Sequence, residues 1–283
     1  GSNVLLPPRL RGMVWRLAAP APRLERHGCV EVFGGVVLDE LIQTVGEAGL
    51  WGLENLAAIP GTLGAAPVQN VGAYGQSLDE VVESLEVLDL RSGQVARWSR
   101  TQAAFAYRDS LFRRQPGAYC ILSLRLRLQV KGTANLRYDG VRERVDALGI
   151  SGGALRPAHL SAVIRALRSE KLPDWQQQPN VGSFFKNPVL SEDQWARLQA
   201  RAPAFALGPF AQSGGKLSAA RLIEGAGWRG RRRGPVGMAE RHALVLVNYG
   251  GATRADVLWL AGSIQASVYA RYGVRLEREP LML

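Results

Sequence analysis

Helices and strands follow one another here without a regular βα alternation, which predicts an α+β fold rather than a doubly wound parallel sheet. Two observations carry that reading. Leu122, Leu124, Leu126, Leu128 and Val130 alternate strictly with Ser123, Arg125, Arg127 and Gln129, as in a strand with one buried and one wet face. Val257, Leu260, Ala261, Ile264 and Val268 instead recur at helical spacing, behind a Thr253/Asp256 pair that fits a capping box.

The remaining elements follow in chain order. Leu38, Leu41, Ile42 and Val45 share one helical face and Gly49 closes the segment, so a helix leads into Trp51-Gly52-Leu53-Glu54-Asn55. Residues 57–75 carry Gly61, Gly64, Gly72 and Gly75 among small and apolar residues, a composition that lets backbone N–H groups approach a ligand closely. Leu85, Val87, Leu88 and Leu90, broken by Glu86 and Asp89, read as a strand whose alternation slips once before the turn Arg91-Ser92-Gly93. Leu160, Val163, Ile164 and Leu167 mark a helix that ends before Pro173. Ala243 to Val247 reads as a short buried strand and Val274-Arg275-Leu276-Glu277 as a last one. The chain shows no internal repeat and no low-complexity segment.

With 283 residues, 47% hydrophobic and 21% charged, the chain can bury a large core and divides into two domains or a domain and a half. No run has the length and apolarity of a membrane span and no signal peptide opens the chain, so the expected compartment is the cytoplasm. Cys29 and Cys120 are too few for a disulfide framework, and His27, His159 and His242 lack ligand spacing, so no metal is expected. The net charge of +11 is mostly Arg spread along the whole length. Only Arg229-Gly230-Arg231-Arg232-Arg233 forms a run, without the interleaved aromatics of a single-strand binder, and no nucleic-acid partner is expected. Lysine is rarer: of Lys131, Lys171, Lys186 and Lys216, three fall in dense, motif-like segments, where a compact point charge is wanted.

The densest segment is Pro179-Asn180-Val181-Gly182-Ser183-Phe184-Phe185-Lys186-Asn187-Pro188. A Ser after Gly, outside any helix or strand pattern, reads as a loop residue whose hydroxyl can be aimed. Taken alone, the segment is either such a site or a loop that buries a Phe pair.

A longer stretch decides between them. Residues 52–75, GLENLAAIPGTLGAAPVQNVGAYG, resemble the flavin-binding signature of the UDP-N-acetylenolpyruvoylglucosamine reductase family. Phe105-Ala106-Tyr107-Arg108-Asp109-Ser110, Lys171-Leu172-Pro173-Asp174, Gly182 to Pro188 and Leu276-Glu277-Arg278-Glu279 resemble further signatures, in the family's order and near its spacing. The resemblance runs from the first residue to the last few but begins late, since Gly1-Ser2-Asn3-Val4-Leu5 matches a loop well inside the family's flavin domain; the expectation is an N-terminally truncated chain.

The resemblance implies an FAD-binding two-domain module of the vanillyl-alcohol-oxidase type, its first domain incomplete, plus an α+β substrate-binding domain. The implied boundaries are 1–18 for the remnant, 19–170 for the second FAD-binding domain, 171–273 for the UDP-sugar domain and 274–283 for a strand returning to the active site. It implies FAD as cofactor, NADPH as co-substrate and UDP-N-acetylglucosamine enolpyruvate as substrate, in a monomer serving peptidoglycan precursor synthesis; the residues alone do not separate NADPH from NADH. FAD contacts are implied at Ser2, Asn3, Gly61, Thr62, Gly64, Ala65, Gln69, Asn70, Gly72, Ala73 and Tyr74.

By the same resemblance Ser183 is the general acid, Glu279 assists it, and Arg108 pairs with the substrate carboxylate or the developing enolate. Glu277 competes with Glu279 two residues away, and the family pattern favours Glu279, although Pro280 follows where an aliphatic residue is usual. Tyr107, Lys171, Lys186 and Asn187 are implied substrate contacts, with Lys186 also close enough in sequence to act on Ser183. Tyr138 resembles the tyrosine of a substrate-closing loop found in the longer class of the family, or is a plain strand-end Tyr. His242 is a uridine-side contact or a His capping the strand. The competing readings are a related flavin oxidoreductase with another substrate, and a non-catalytic chain that binds UDP-sugar without flavin.

Overall fold

The computed structural model describes residues 2–138, 140–150, 152–202 and 214–283. Helices and strands are mixed, as an α+β chain requires, and the chain divides into two compact units, one of Met13–Arg168 and one of Gly1–Gly12 with Ser169–Leu283.

The unit of residues 13–168 is built on a five-stranded antiparallel sheet in the order Arg23–Leu24, Cys29–Phe33, Tyr119–Arg127, Val82–Asp89, Val95–Ser99. Its central strand starts earlier than the alternation at Leu122 predicts and ends at Arg127, with Val130 exposed. The reason is a register shift: Glu86 faces Ser123 while Val87 faces Ile121, so Leu122 bulges out and Ile121 takes its place on the buried face beside Leu124 and Leu126. A second shift between Val82 and Ser84 leaves Glu83 as the extra residue on the neighbouring strand. The shift between Glu86 and Val87 falls inside Leu85–Leu90, where the sequence predicts a slip, and Leu85 and Val87 stay buried.

The helix Leu38–Glu47 buries Leu38, Leu41, Ile42 and Val45, with Asp39 and Glu40 in its first turn, where the helix dipole favours negative charge. The helix Pro157–Lys171 buries Leu160, Val163, Ile164 and Leu167 in the same core. Between them the glycine-rich stretch forms a short turn of helix at Ala66–Gln69 and a two-residue hairpin, Gly72–Ala73 against Gln76–Ser77.

The other unit carries a four-stranded antiparallel sheet in the order Arg232–Arg233, Val236–Met238, Val245–Asn248, Asn180–Ser183. Helix Arg254–Tyr272 covers its core with Val257, Leu260, Ala261, Ile264 and Val268. The Thr253 hydroxyl accepts from the Asp256 N–H and the Asp256 carboxylate accepts from the Thr253 N–H, the expected capping box. Gly273, with φ of +70°, ends the helix in a left-handed turn.

Two expectations change in this unit. Val274–Glu277 is extended but not a strand: Val274 and Leu276 turn into the core, which produces the alternation, while the Leu276 carbonyl accepts from the Gln265 side chain instead of a ladder partner. The strand comes after Pro280, where Leu281–Met282 pairs in parallel with Val4–Leu5. Ser183 is likewise no loop residue, since it ends the strand Asn180–Ser183.

Candidate active site

Ser183 owes its aim to a bulge. Asn180 pairs with Val247 and Ser183 with Val245, so Val181 and Gly182 together oppose one residue. Gly182 takes a φ of +71°, held by its N–H donating to the Asn180 side chain at 2.9 Å, and a Cβ built there would meet nothing within 4 Å. A bulge with a left-handed glycine turns the next side chain off the sheet's regular alternation. The Ser183 hydroxyl, half-buried, has no hydrogen-bond partner among the described residues.

The two residues after it go inward. Phe184 and Phe185 are fully buried, with ring centroids 5.3 Å apart at 71°. Their backbone receives the C-terminal segment: Glu279 N–H donates to the Phe184 carbonyl at 2.9 Å, Lys186 N–H donates to the Glu277 carbonyl at 2.9 Å, and Phe185 bridges Arg278. The backbone of Glu279 is thereby fixed next to Ser183. Glu277, one pair further on, is the ion-pair partner of Lys186. That pair separates the two glutamates, because Glu277 is bound to a cation and largely exposed while Glu279 is half-buried. It also occupies the Lys186 ammonium, which is therefore no free charge for activating Ser183.

Asn187 Oδ1 accepts from Ala219 N–H at 2.9 Å at the start of helix Ala219–Gly225, and its amide N–H groups have no hydrogen-bond acceptor among the described residues. His242 Nδ1 accepts from Leu244 N–H at 3.2 Å in the turn before the strand, the capping role. Lys171 is exposed at the end of its helix, and Ser2 and Asn3 lie half-buried beside the C-terminal strand, with Leu281 N–H donating to the Asn3 carbonyl.

In the unit of residues 13–168 the glycine-rich loop has the features of a phosphate cradle. Gly61 has a φ of +119°, and neither its N–H nor that of Thr62 has a protein acceptor among the described residues. Thr62 and Ala65 are exposed and Gly61 and Gly64 half-buried. Backbone donors at an exposed, glycine-lined turn fit a dinucleotide pyrophosphate. Gln69 and Ala73 are half-buried along the same stretch.

Asn70 also braces the loop. Its buried side chain donates to Asp79 Oδ1 at 2.9 Å and to the Ala106 carbonyl at 3.1 Å, and accepts from Asp79 N–H at 3.1 Å, so both of its amide N–H groups are taken. Burial raises the Asp79 pKa, but hydrogen bonds from Ser77 and Asn70 and the charge of Arg100 outweigh it and hold the carboxyl below its ordinary range.

Tyr107 and Arg108 occupy the corner of a tight hairpin closed by Ala106 and Asp109. Arg108, with φ of +52°, donates to the carbonyls of Gly72 and Asn70 and lies 5.4 Å from the Tyr107 ring. The guanidinium is held against the glycine-rich loop, and a Cβ on Gly72 would come within 2.8 Å of it. Tyr74 and Tyr138 meet edge to face at 4.8 Å. Burial pushes the Tyr74 hydroxyl pKa up, so the group stays neutral.

The basic run also looks different in three dimensions. Arg231, Arg232 and Arg233 lie 4.8, 4.5 and 3.7 Å from the rings of Trp228, Tyr249 and Trp259. Trp228, just before the run, and Tyr249 and Trp259, further along the chain, each cover a guanidinium face, which is then closed to stacking bases. No group of three or more potential metal ligands occurs among the described residues, and no described helix is long and apolar enough to cross a membrane.

Comparison with known proteins bears on each of the two units. Residues 21–99 match the FAD binding domain family and residues 174–283 the UDP-N-acetylenolpyruvoylglucosamine reductase C-terminal domain. UDP-N-acetylenolpyruvoylglucosamine reductases of Pseudomonas syringae pv. tomato and Pseudomonas aeruginosa are 43% and 45% identical over 99% of this chain and 83% of their own. A crystal structure of UDP-N-acetylenolpyruvylglucosamine reductase (MurB) from Thermus caldophilus superposes with a TM-score of 0.59, covering 89% of this chain and 71% of that one at 24% identity, a likeness of fold. On sequence and fold together, the chain belongs to the UDP-N-acetylenolpyruvoylglucosamine reductase family.

Proposed function

We propose that this chain reduces the enolpyruvyl ether of UDP-N-acetylglucosamine to UDP-N-acetylmuramate with FAD and NADPH, in peptidoglycan precursor synthesis. It would do so as a monomer in the cytoplasm, a compartment that suits its two free cysteines. The observation that carries the reading is the backbone pairing of Glu279 with Phe184, beside a Ser183 hydroxyl that no described residue engages.

Bound FAD supplies the hydride, taken from NADPH, that adds to the terminal methylene carbon of the substrate. The carbon next to the carboxylate then carries negative charge and needs a proton. Ser183 Oγ is the donor, and the Glu279 carboxyl relays a proton to it or polarises the enolate. Arg108, fixed by the Gly72 and Asn70 carbonyls, presents the positive edge for the substrate carboxylate. Tyr107, Tyr138, Lys171, Lys186, Asn187 and His242 are the proposed contacts to the rest of the substrate. The Gly61–Tyr74 loop, with Ser2 and Asn3, is the proposed FAD contact, Asn70 acting by bracing it.

The test separates the two half-reactions by stopped-flow absorbance. In Ser183→Ala, flavin reduction by NADPH proceeds within about twofold of wild type, while reoxidation by the enolpyruvyl substrate slows by about 10²–10⁴-fold, the span of a lost acid–base group. Equal loss in both half-reactions overturns the role of Ser183.

A further inference from the structure

Asn55 is fully buried, yet both N–H groups of its side chain leave the segment that carries it. Nδ2 donates to the Tyr74 carbonyl at 2.7 Å and to the Asn135 carbonyl at 2.9 Å. Its backbone N–H donates to Gln76 Oε1 at 2.9 Å, which fixes the residue at the mouth of the hairpin that follows Tyr74. Oδ1 is buried and without a partner, so the orientation is unambiguous: an amide flip would set an oxygen against two carbonyl oxygens. Asn135 completes the figure from the other side, its Nδ2 donating to the Gly75 carbonyl at 2.9 Å and its Oδ1 accepting from Arg137 N–H at 3.3 Å.

Two amides thus stitch the segment before Tyr138 to the loop around Tyr74. Upstream, the same segment is pinned by Gln129, which pairs with Trp51, and by Gly132, where a Cβ would come within 2.5 Å of the Trp51 side chain. Between that anchor and Tyr138, Ala134 and Leu136 pack on the core, and the Asn55 and Asn135 bonds and the Tyr74–Tyr138 edge-to-face contact join the segment, with Tyr138 itself 46% exposed, to the glycine-rich loop.

We infer that Asn55 and Asn135 form a latch that holds the Tyr138 loop closed on the glycine-rich loop, Asn55 being the positioning residue for substrate engagement by Tyr138. The inference rests on the functional reading above. A carboxamide suits this place because it offers two donors to two carbonyls of different segments. Aspartate offers none and alanine neither bond, so either change leaves two half-buried carbonyls without this donor.

The test compares wild type, Asn55→Ala and Asn135→Ala, each as FAD-loaded protein, by amide hydrogen exchange over residues 132–138 and by steady-state kinetics. Asn55→Ala is expected to speed exchange there, and to raise the KM for UDP-N-acetylglucosamine enolpyruvate, by about tenfold each, the weight of roughly one net buried hydrogen bond. Flavin reduction by NADPH is expected to move far less. Adding Tyr138→Ala to Asn55→Ala is expected to raise KM little further, since the two act as one unit. Unchanged exchange, or full additivity with Tyr138→Ala, overturns the latch. If Asn55→Ala does not fold, Asn135→Ala removes the outer half alone and is expected to give about a threefold effect in the same direction; no effect overturns the proposal. Failure of the functional reading shows differently, as wild-type protein that never oxidises NADPH on adding the substrate while exchange still quickens in the variants.

Discussion

Glu277 and Glu279 stand two positions apart on one extended segment, and only their neighbours distinguish them. Glu277 gives its carboxylate to Lys186 and keeps most of its surface in water, whereas Glu279 is half-buried where its backbone meets Phe184. Glu279→Gln should therefore slow substrate-dependent flavin reoxidation by about a hundredfold or more. Glu277→Gln should cost under about 1 kcal/mol of stability, as an exposed ion pair does, and slow reoxidation much less. Single-turnover reoxidation of both variants decides it, and equal rates would remove the distinction. Gly182 makes a second case. Its φ of +71° is open to glycine but costs a side chain about 1–2 kcal/mol, although a Cβ would meet nothing. Gly182→Ala should lower stability by that amount and lower turnover more than stability alone explains, because the bulge re-forms and Ser183 turns away.

At the scale of elements, the glycine-rich loop hangs on one carboxylate. Asp79 receives the Asn70 and Ser77 side chains and Arg100, and its pKa lies below the ordinary 3.8. A carboxyl whose folded pKa is depressed contributes stability that is whole above the unfolded value and is lost as pH falls through the folded one. The loop should thus keep its support above about pH 4 and lose it progressively below. Asp79→Asn should remove part of that acid dependence, and FAD retention followed by fluorescence against pH would show it; identical profiles would mean the loop is braced elsewhere. Asp79 also marks what the sequence did not disclose. The helices at Leu38, Leu160 and Val257 were readable because their burial is periodic, and the long glycine-rich signature was readable as a string. The parts that brace it, Asn55, Asp79 and Asn135, join positions 9 to 80 residues apart by single side-chain bonds, which leave no period. The same holds for the rings beneath Arg232 and Arg233. Val274–Glu277 misled for the converse reason, since alternating burial arose there without a strand partner.

Over the whole molecule, each unit is held by a large apolar core of its own, with a small further cluster of Ala239, Val245 and Val247 in the second unit. Chains with more than one core commonly unfold in more than one step. Phe185→Ala, at a fully buried site, should cost about 3–5 kcal/mol in its own unit and leave the unfolding of residues 13–168 near its wild-type denaturant midpoint. Tryptophan fluorescence can follow each core, through Trp51 and Trp98 in one unit and Trp195 and Trp228 in the other. A single transition shifted as a whole would show the two cores to be one cooperative body. The parallel pairing of Val4–Leu5 with Leu281–Met282 reaches furthest of all. In polymer terms it closes a long loop of backbone two residues beyond Glu279, so the setting of that carboxylate answers to Val4 and Leu5, which lie far from it in sequence. A substitution at either of those two aliphatic positions is therefore a perturbation of the carboxylate as well.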